Sequence, residues 1–135
     1  MLKRYCLGIN SYHQAVSILQ IFKKEKKKPI FYIKFYLIQN LGIDWLIELK
    51  NMLSEEFGQG NFMFFIDIKK NYGLCINLIE EKFNFIKVIG DESSIKRLNE
   101  IAKLNKVLIN PDFSVVDISN TKNILTKLKK HKITK

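Results

Sequence analysis

Two short apolar runs, Ile30–Tyr36 and Phe62–Ile68, stand between stretches whose apolar residues recur at helical spacing. That alternation limits the possible folds more than any other feature of the chain. Ile30–Tyr36 is rich in aromatic and β-branched residues and nearly continuous in apolarity, as expected of a strand covered on both faces. Phe62–Ile68 reads Phe-Met-Phe-Phe-Ile-Asp-Ile and is the clearest strand. Before the first run, Asn10 or Ser11 can cap a helix to about Lys27, with Tyr12, Ala15, Val16, Leu19 and Phe22 on one stripe. Pro29 stops it, because the residue before proline avoids the α conformation.

A second helix runs from Gly42 or Asp44 to Phe57, and Gly58 suits its C-terminal cap. Asn71 caps a third helix to Lys82, which leads into a strand at Phe85–Ile89. Asp91, Ser93 or Ser94 caps a fourth, to Asn105, ahead of a short strand at Val107–Ile109. Phe113–Ile118 is a fifth strand if it pairs, although Val115 and Val116 break strict alternation. Helices alternating with strands imply a parallel sheet with right-handed crossovers. The expected fold is therefore a single α/β domain, αβαβαβαβ, with a mostly parallel sheet of four or five strands flanked by helices. Residues 1–119 form this domain, and 120–135 form a basic tail or short helix.

Length agrees, since 135 residues suit one domain. The longest apolar stretch is far short of the roughly 20 residues that span a bilayer. Cys6 and Cys75 are far apart in sequence and form no Cys-x-x-Cys pair, so a reduced cytoplasmic setting is the expectation. Met1–Lys24 contains no acid and is amphipathic, as organelle transit peptides are. The near absence of arginine there favours an ordinary first helix instead.

The formal net charge is +10, which invites nucleic-acid binding. Yet Arg4 and Arg97 are the only arginines, and Lys, Asn, Ile and Phe are plentiful. That is the pattern of AT-rich codons, so part of the charge is codon bias. The clusters are Lys23–Lys28 and the tail lysines from Lys122 to Lys135.

In open parallel sheets, ligands bind beyond the carboxyl ends of the strands. That rule selects Asp67, Lys69, Asn71, Gly90, Asp91, Ser93 and Asn110 as candidate ligand-binding residues. Asp67 is the candidate acid, base or lysine partner, lying at the end of an apolar strand near Lys69 and Lys70. The Gly90–Ser94 turn precedes a helix N-terminus, where free amides attract anions, but Asp91 and Glu92 oppose an anion there. His13 and His131 fall away from the strand ends, so neither a metal nor a cofactor is expected. A response-regulator receiver needs an acidic pair where Gln39 and Asn40 stand. A STAS domain needs serines where Lys69-Lys70-Asn71-Tyr72 stand. Neither a Rossmann nor a Walker glycine pattern is present.

The leading expectation is a non-catalytic binding or protein-interaction module with a protein or small-molecule partner. The first alternative is a minimal enzyme acting on a phosphorylated or carboxylated metabolite, with Lys34, Lys69 or Lys70 holding the anion and Asp67 as acid or base. The second is binding of nucleic acid or an anionic membrane surface through the lysine clusters.

Overall fold

A computed structural model describes residues 5–135. Its strands and helices alternate along the chain except at 35–57, where two helices are consecutive, and at 108–117, where two strands are, and the strands form one parallel sheet. The strands are β1 (Tyr5–Gly8), β2 (Pro29–Ile33), β3 (Met63–Asp67), β4 (Phe85–Lys87), β5 (Leu108–Ile109) and β6 (Val115–Asp117). The helices are α1 (Tyr12–Lys24), α2 (Phe35–Leu41), α3 (Ile43–Phe57), α4 (Tyr72–Glu80), α5 (Glu92–Leu104) and α6 (Ile124–Lys130). A 3-10 turn at Gln59–Asn61 leads into β3.

The α/β class and the parallel sheet match the sequence expectation, but the strand count is six rather than four or five. The chain enters the sheet through β1, ahead of the first helix, so the order begins with a strand. Tyr5–Gly8 is only four residues long and runs almost directly into α1, which hides its period. The expected strand Ile30–Tyr36 ends at Ile33, and Phe35–Leu41 is helical. Both segments are apolar, and a short apolar run does not reveal its period. Gly42, at φ 87°, forms the corner between α2 and α3. The first four residues of the acid-free N-terminal stretch lie outside the described residues.

The strands lie in the order β5-β4-β3-β2-β1-β6, and every neighbouring pair is parallel. From β1 to β5, each strand is laid beside its predecessor in sequence. Right-handed crossovers then put the intervening helices on one face. The larger core cluster reflects this: Leu7, Phe31, Ile33, Phe64, Ile66 and Ile86 meet Phe22, Leu46, Leu53, Leu78, Leu98 and other helix residues. The opposite face carries a small cluster of Cys6, Ile30, Phe65 and Phe85, with Tyr32, Met63 and Phe113 packed against it and no helix residue.

One connection joins the two edges of the sheet. Residues 110–114 link β5 to β6, which is five strand spacings away. On a flat sheet that gap is about 24 Å. The connection reaches at most about 20–22 Å. The sheet must therefore curl, and Phe113 marks the crossing, with its ring edge-on to Phe85 at 4.9 Å and to Phe65 at 5.7 Å. The strand order is that of a sequential β/α barrel left open between β5 and β6. The expected basic tail belongs to the same body: α6 packs against α1, with Leu128 and Ile133 buried in the larger core.

Candidate functional site

Side chains alternate between the two faces of a strand, so the register identifies what lines the bowl. Gly8, Tyr32, Phe65 and Phe85 are successive register partners and share the concave face, with Asp117 joining beside Gly8. Two residues further toward the carboxyl ends, Asp67 and Lys87 are partners on that same face. Lys34 follows β2 and is two residues beyond Tyr32. The concave face is therefore apolar below and charged at the carboxyl ends of its strands.

Two of those strands end alike. At the end of β3, Asp67 accepts the Lys69 amide on Oδ1 at 3.0 Å, and its Oδ2 meets the Lys69 ammonium at 3.1 Å. Tyr32 also donates its hydroxyl to that Oδ2, at 3.1 Å. At the end of β6, Asp117 accepts the Ser119 amide on Oδ1 at 3.0 Å and the Ser119 hydroxyl at 2.6 Å. Its Oδ2 meets the Lys34 ammonium at 2.5 Å. In each case a carboxylate fixes its own turn with one oxygen and holds a lysine with the other.

The Lys34–Asp117 pair spans β1, and Gly8 makes room for it. A Cβ at Gly8 would sit 3.1 Å from Asp117 Oδ1, tighter than ordinary contact. Burial alone would raise the Asp117 carboxyl; the Lys34 and Ser119 hydrogen bonds outweigh it and hold the group at about 2. Burial, then the charge and hydrogen bond of Asp67, push the Tyr32 hydroxyl upward, with smaller contributions from Cys6 and Asp117. Tyr32 is therefore a neutral hydrogen-bond donor between two carboxylates. Burial also pushes the Cys6 thiol, on the same face below it, up to about 12. A thiol held protonated in this way is a poor nucleophile.

Beside these pairs lies a concavity of about 530 Å³, bounded by Tyr32, Phe65, Lys87, Asn110 and Phe113 among others. Its volume falls within the range typical of small-molecule sites, roughly 300–1,000 Å³. Lys87 is exposed at its rim and has no carboxylate partner among the described residues.

The seven residues expected from the sequence separate into two groups. Asp67 and Lys69 come together as an ion pair, with the Asp67 side chain 4% exposed. The others support the frame. Asn71 caps α4 by accepting the Leu74 amide. Asp91 caps α5 by accepting the Ser94 amide at 2.8 Å, and Ser93 is exposed in the first turn of that helix. Gly90 gives room to the Tyr72 hydroxyl, which a Cβ there would overlap. Asn110 extends the sheet edge with its side chain, accepting the Val88 amide at 2.8 Å and donating to the Val88 carbonyl at 3.0 Å. Tyr32, Lys87, Asp117 and Ser119 were absent from the sequence-derived set. Alternation within the strand carries the signal for Tyr32 and Lys87: Ile30-Tyr32-Lys34, Met63-Phe65-Asp67 and Phe85-Lys87 are inward series that turn polar at the last step.

Among the described residues, no three of His, Cys, Asp and Glu gather as a metal site. No described helix is long and apolar enough to cross a membrane.

No family model and no curated protein matches the chain. Among solved structures, it is similar to a Coccidioides immitis protein described as a candidate fructose-1,6-biphosphate aldolase. The TM-score is 0.62 at 8% identity, over 78% of this chain and 44% of that one. The chain thus spans less than half of that structure's length. At this identity the likeness concerns the fold: a parallel α/β sheet flanked by helices, here with six strands.

Proposed function

We propose that the chain is a small-molecule-binding β/α domain whose site is the mouth of the strand bowl. Its ligand is a small metabolite bearing a phosphate or carboxylate. The observation that carries this reading is the convergence of Tyr32, Asp67, Lys69 and Lys87 at the carboxyl ends of β2, β3 and β4, beside a concavity of ligand size. Parallel β/α folds place their ligands at that end. Lys34 and Lys69 are already neutralised by carboxylates, and Lys87 is the lysine that lines the concavity, so it is the one assigned to meet the ligand's anion. Phe65 and Phe113 offer an apolar wall to the rest of the molecule. Calorimetric titration of the purified chain with small sugar phosphates and dicarboxylates tests the reading. A binder should be found, and Lys87→Ala should weaken it about tenfold, the loss of one charge-assisted contact. Absence of binding across both classes would overturn the proposal.

A catalytic reading draws support from Asp67. Its carboxylate is buried, touches the Lys69 ammonium and receives the Tyr32 hydroxyl, a set able to relay a proton to a bound substrate. Mass spectrometry of the bound metabolite after incubation separates the two readings. A changed mass that Asp67→Asn abolishes while binding survives favours the enzyme. An unchanged ligand favours the binding module.

A further inference from the structure

At the mouth, Lys34 and Lys69 are held by carboxylates, whereas at the opposite end of the sheet a larger group of lysines gathers with one ion pair among the described residues. Lys23 and Lys24 close α1, and Lys26, Lys27 and Lys28 fill the turn before β2. The packing of α6 on α1 adds Lys129, Lys130 and Lys132 to the same side, and the Lys27 ammonium donates to the Ile133 carbonyl at 2.7 Å. The two clusters separated in sequence thus form one basic face. Between the ends of α1 and α3 this face is hollowed into a groove of about 380 Å³, walled by Lys23, Lys26, Lys27 and Lys28, with Leu19 and Phe57 beneath.

Lys27 is paired with Glu25 at 3.1 Å, whereas Lys23, Lys26 and Lys28 have no carboxylate partner among the described residues. The acid in the groove, Glu56, receives the Tyr12 hydroxyl. Codon bias would supply lysines to both ends of the sheet alike. It does not explain why Lys23, Lys26 and Lys28 gather around one hollow without carboxylate partners among the described residues.

We propose that this face binds the sugar–phosphate backbone of a nucleic acid, without base preference. Lysine acts as a point charge suited to phosphate rather than to bidentate reading of base edges. A membrane surface is the other polyanion, but interfacial binding needs apolar side chains exposed beside the cations. In α6 and the turn after it, Leu128 and Ile133 are buried and Ile124 is half-buried, which leaves Leu125, 41% exposed, as the single exposed apolar side chain and no apolar stripe.

Fluorescence anisotropy of the full chain with labelled mixed-sequence RNA and DNA oligonucleotides, across a salt series, tests the proposal. The triple variant Lys23→Glu/Lys26→Glu/Lys28→Glu should lose about tenfold or more in affinity. Its salt slope should flatten by about three, one unit per phosphate contact removed. A control triple with the same charge change, Lys70→Glu/Lys96→Glu/Lys103→Glu, should stay within about threefold, because counterion release follows contacts rather than net charge. The neutral triple with glutamine at 23, 26 and 28 should fall between wild type and the glutamate triple. Equal losses in the groove and control triples would overturn the proposal, as would no binding by the intact chain near physiological salt. So would sedimentation with phosphatidylserine vesicles that depends on the groove lysines while oligonucleotide binding does not.

Discussion

The two faces of the sheet are built for different ends. The convex face is sealed by helices, and its strand residues Phe31, Ile33, Phe64 and Ile66 are at most 1% exposed. The concave face is closed by a single five-residue connection, and its small aromatic floor gives way to charges at the carboxyl ends. The same strands make both faces. In β3, Phe64 and Ile66 point to the helices, while Met63, Phe65 and Asp67 point into the bowl. Stability is thus concentrated on one side, which leaves the other free to carry polar groups that a sealed core would not accept.

The sharpest way to break this contrast is to truncate one ring on each face. Phe64→Ala removes a ring packed against Phe31, Phe62 and Phe83 and should cost about 3–5 kcal/mol. Phe113→Ala removes a partly exposed ring from the crossing and should cost about 1–2 kcal/mol. Chemical denaturation of both variants measures the difference. Equal losses would mean that the crossing is as much a part of the core as the helices are.

Next in size is a change expected to stabilise. Four helices end the same way, with a lysine in the left-handed conformation that usually calls for glycine: Lys26, Lys82, Lys106 and Lys132, at φ 54–60°. After three of these lysines, the next residue (Phe83, Val107 or Ile133) is buried, and its amide bonds back to the end of the helix. Lys82→Gly and Lys106→Gly, which leave the basic groove intact, should each add about 1 kcal/mol by relieving Cβ strain. A rise in denaturation midpoint for each, near additive in the double variant, is the expected reading.

The smallest effect is a dependence on pH. The Asp117 carboxyl is held at about 2, below its unfolded value. Its contribution is therefore present above about pH 4 and lost as pH falls toward 2. Its side chain is 46% exposed, so screening limits that contribution to under about 1 kcal/mol. The stability gap between wild type and Asp117→Asn should close across that interval while remaining constant from pH 5 to 7.

Much of this architecture was legible in the residues, and the parts that were not share a cause. Phe62–Ile68 and the stripe Tyr12, Ala15, Leu19 and Phe22 declare their periods over enough positions to be read. Tyr5–Gly8 and Phe35–Leu41 do not: the first is too short, and the second continues the apolarity of β2 without a turn residue between them. The site was legible in part for a related reason. Asp67 stands out as one charge after five apolar residues, and the rule for parallel sheets points to it. Asp117 does not stand out, because it lies in a strand of broken alternation and acquires its meaning only when β6 pairs with β1. Lys87 was hidden among many lysines and is distinguished by its register with Asp67.

Amide resonances show whether the concave mouth, and not another surface, takes the small ligand. The chain labelled with ¹⁵N is titrated with the tightest metabolite from the calorimetric panel, in enough salt to screen long-range attraction. Shifts should concentrate at Tyr32, Asp67, Lys69, Lys87, Val88 and Asn110, with Lys23, Lys26 and Lys28 unmoved. Shifts centred on those three lysines, or scattered over the surface without a cluster at the mouth, would contradict that assignment.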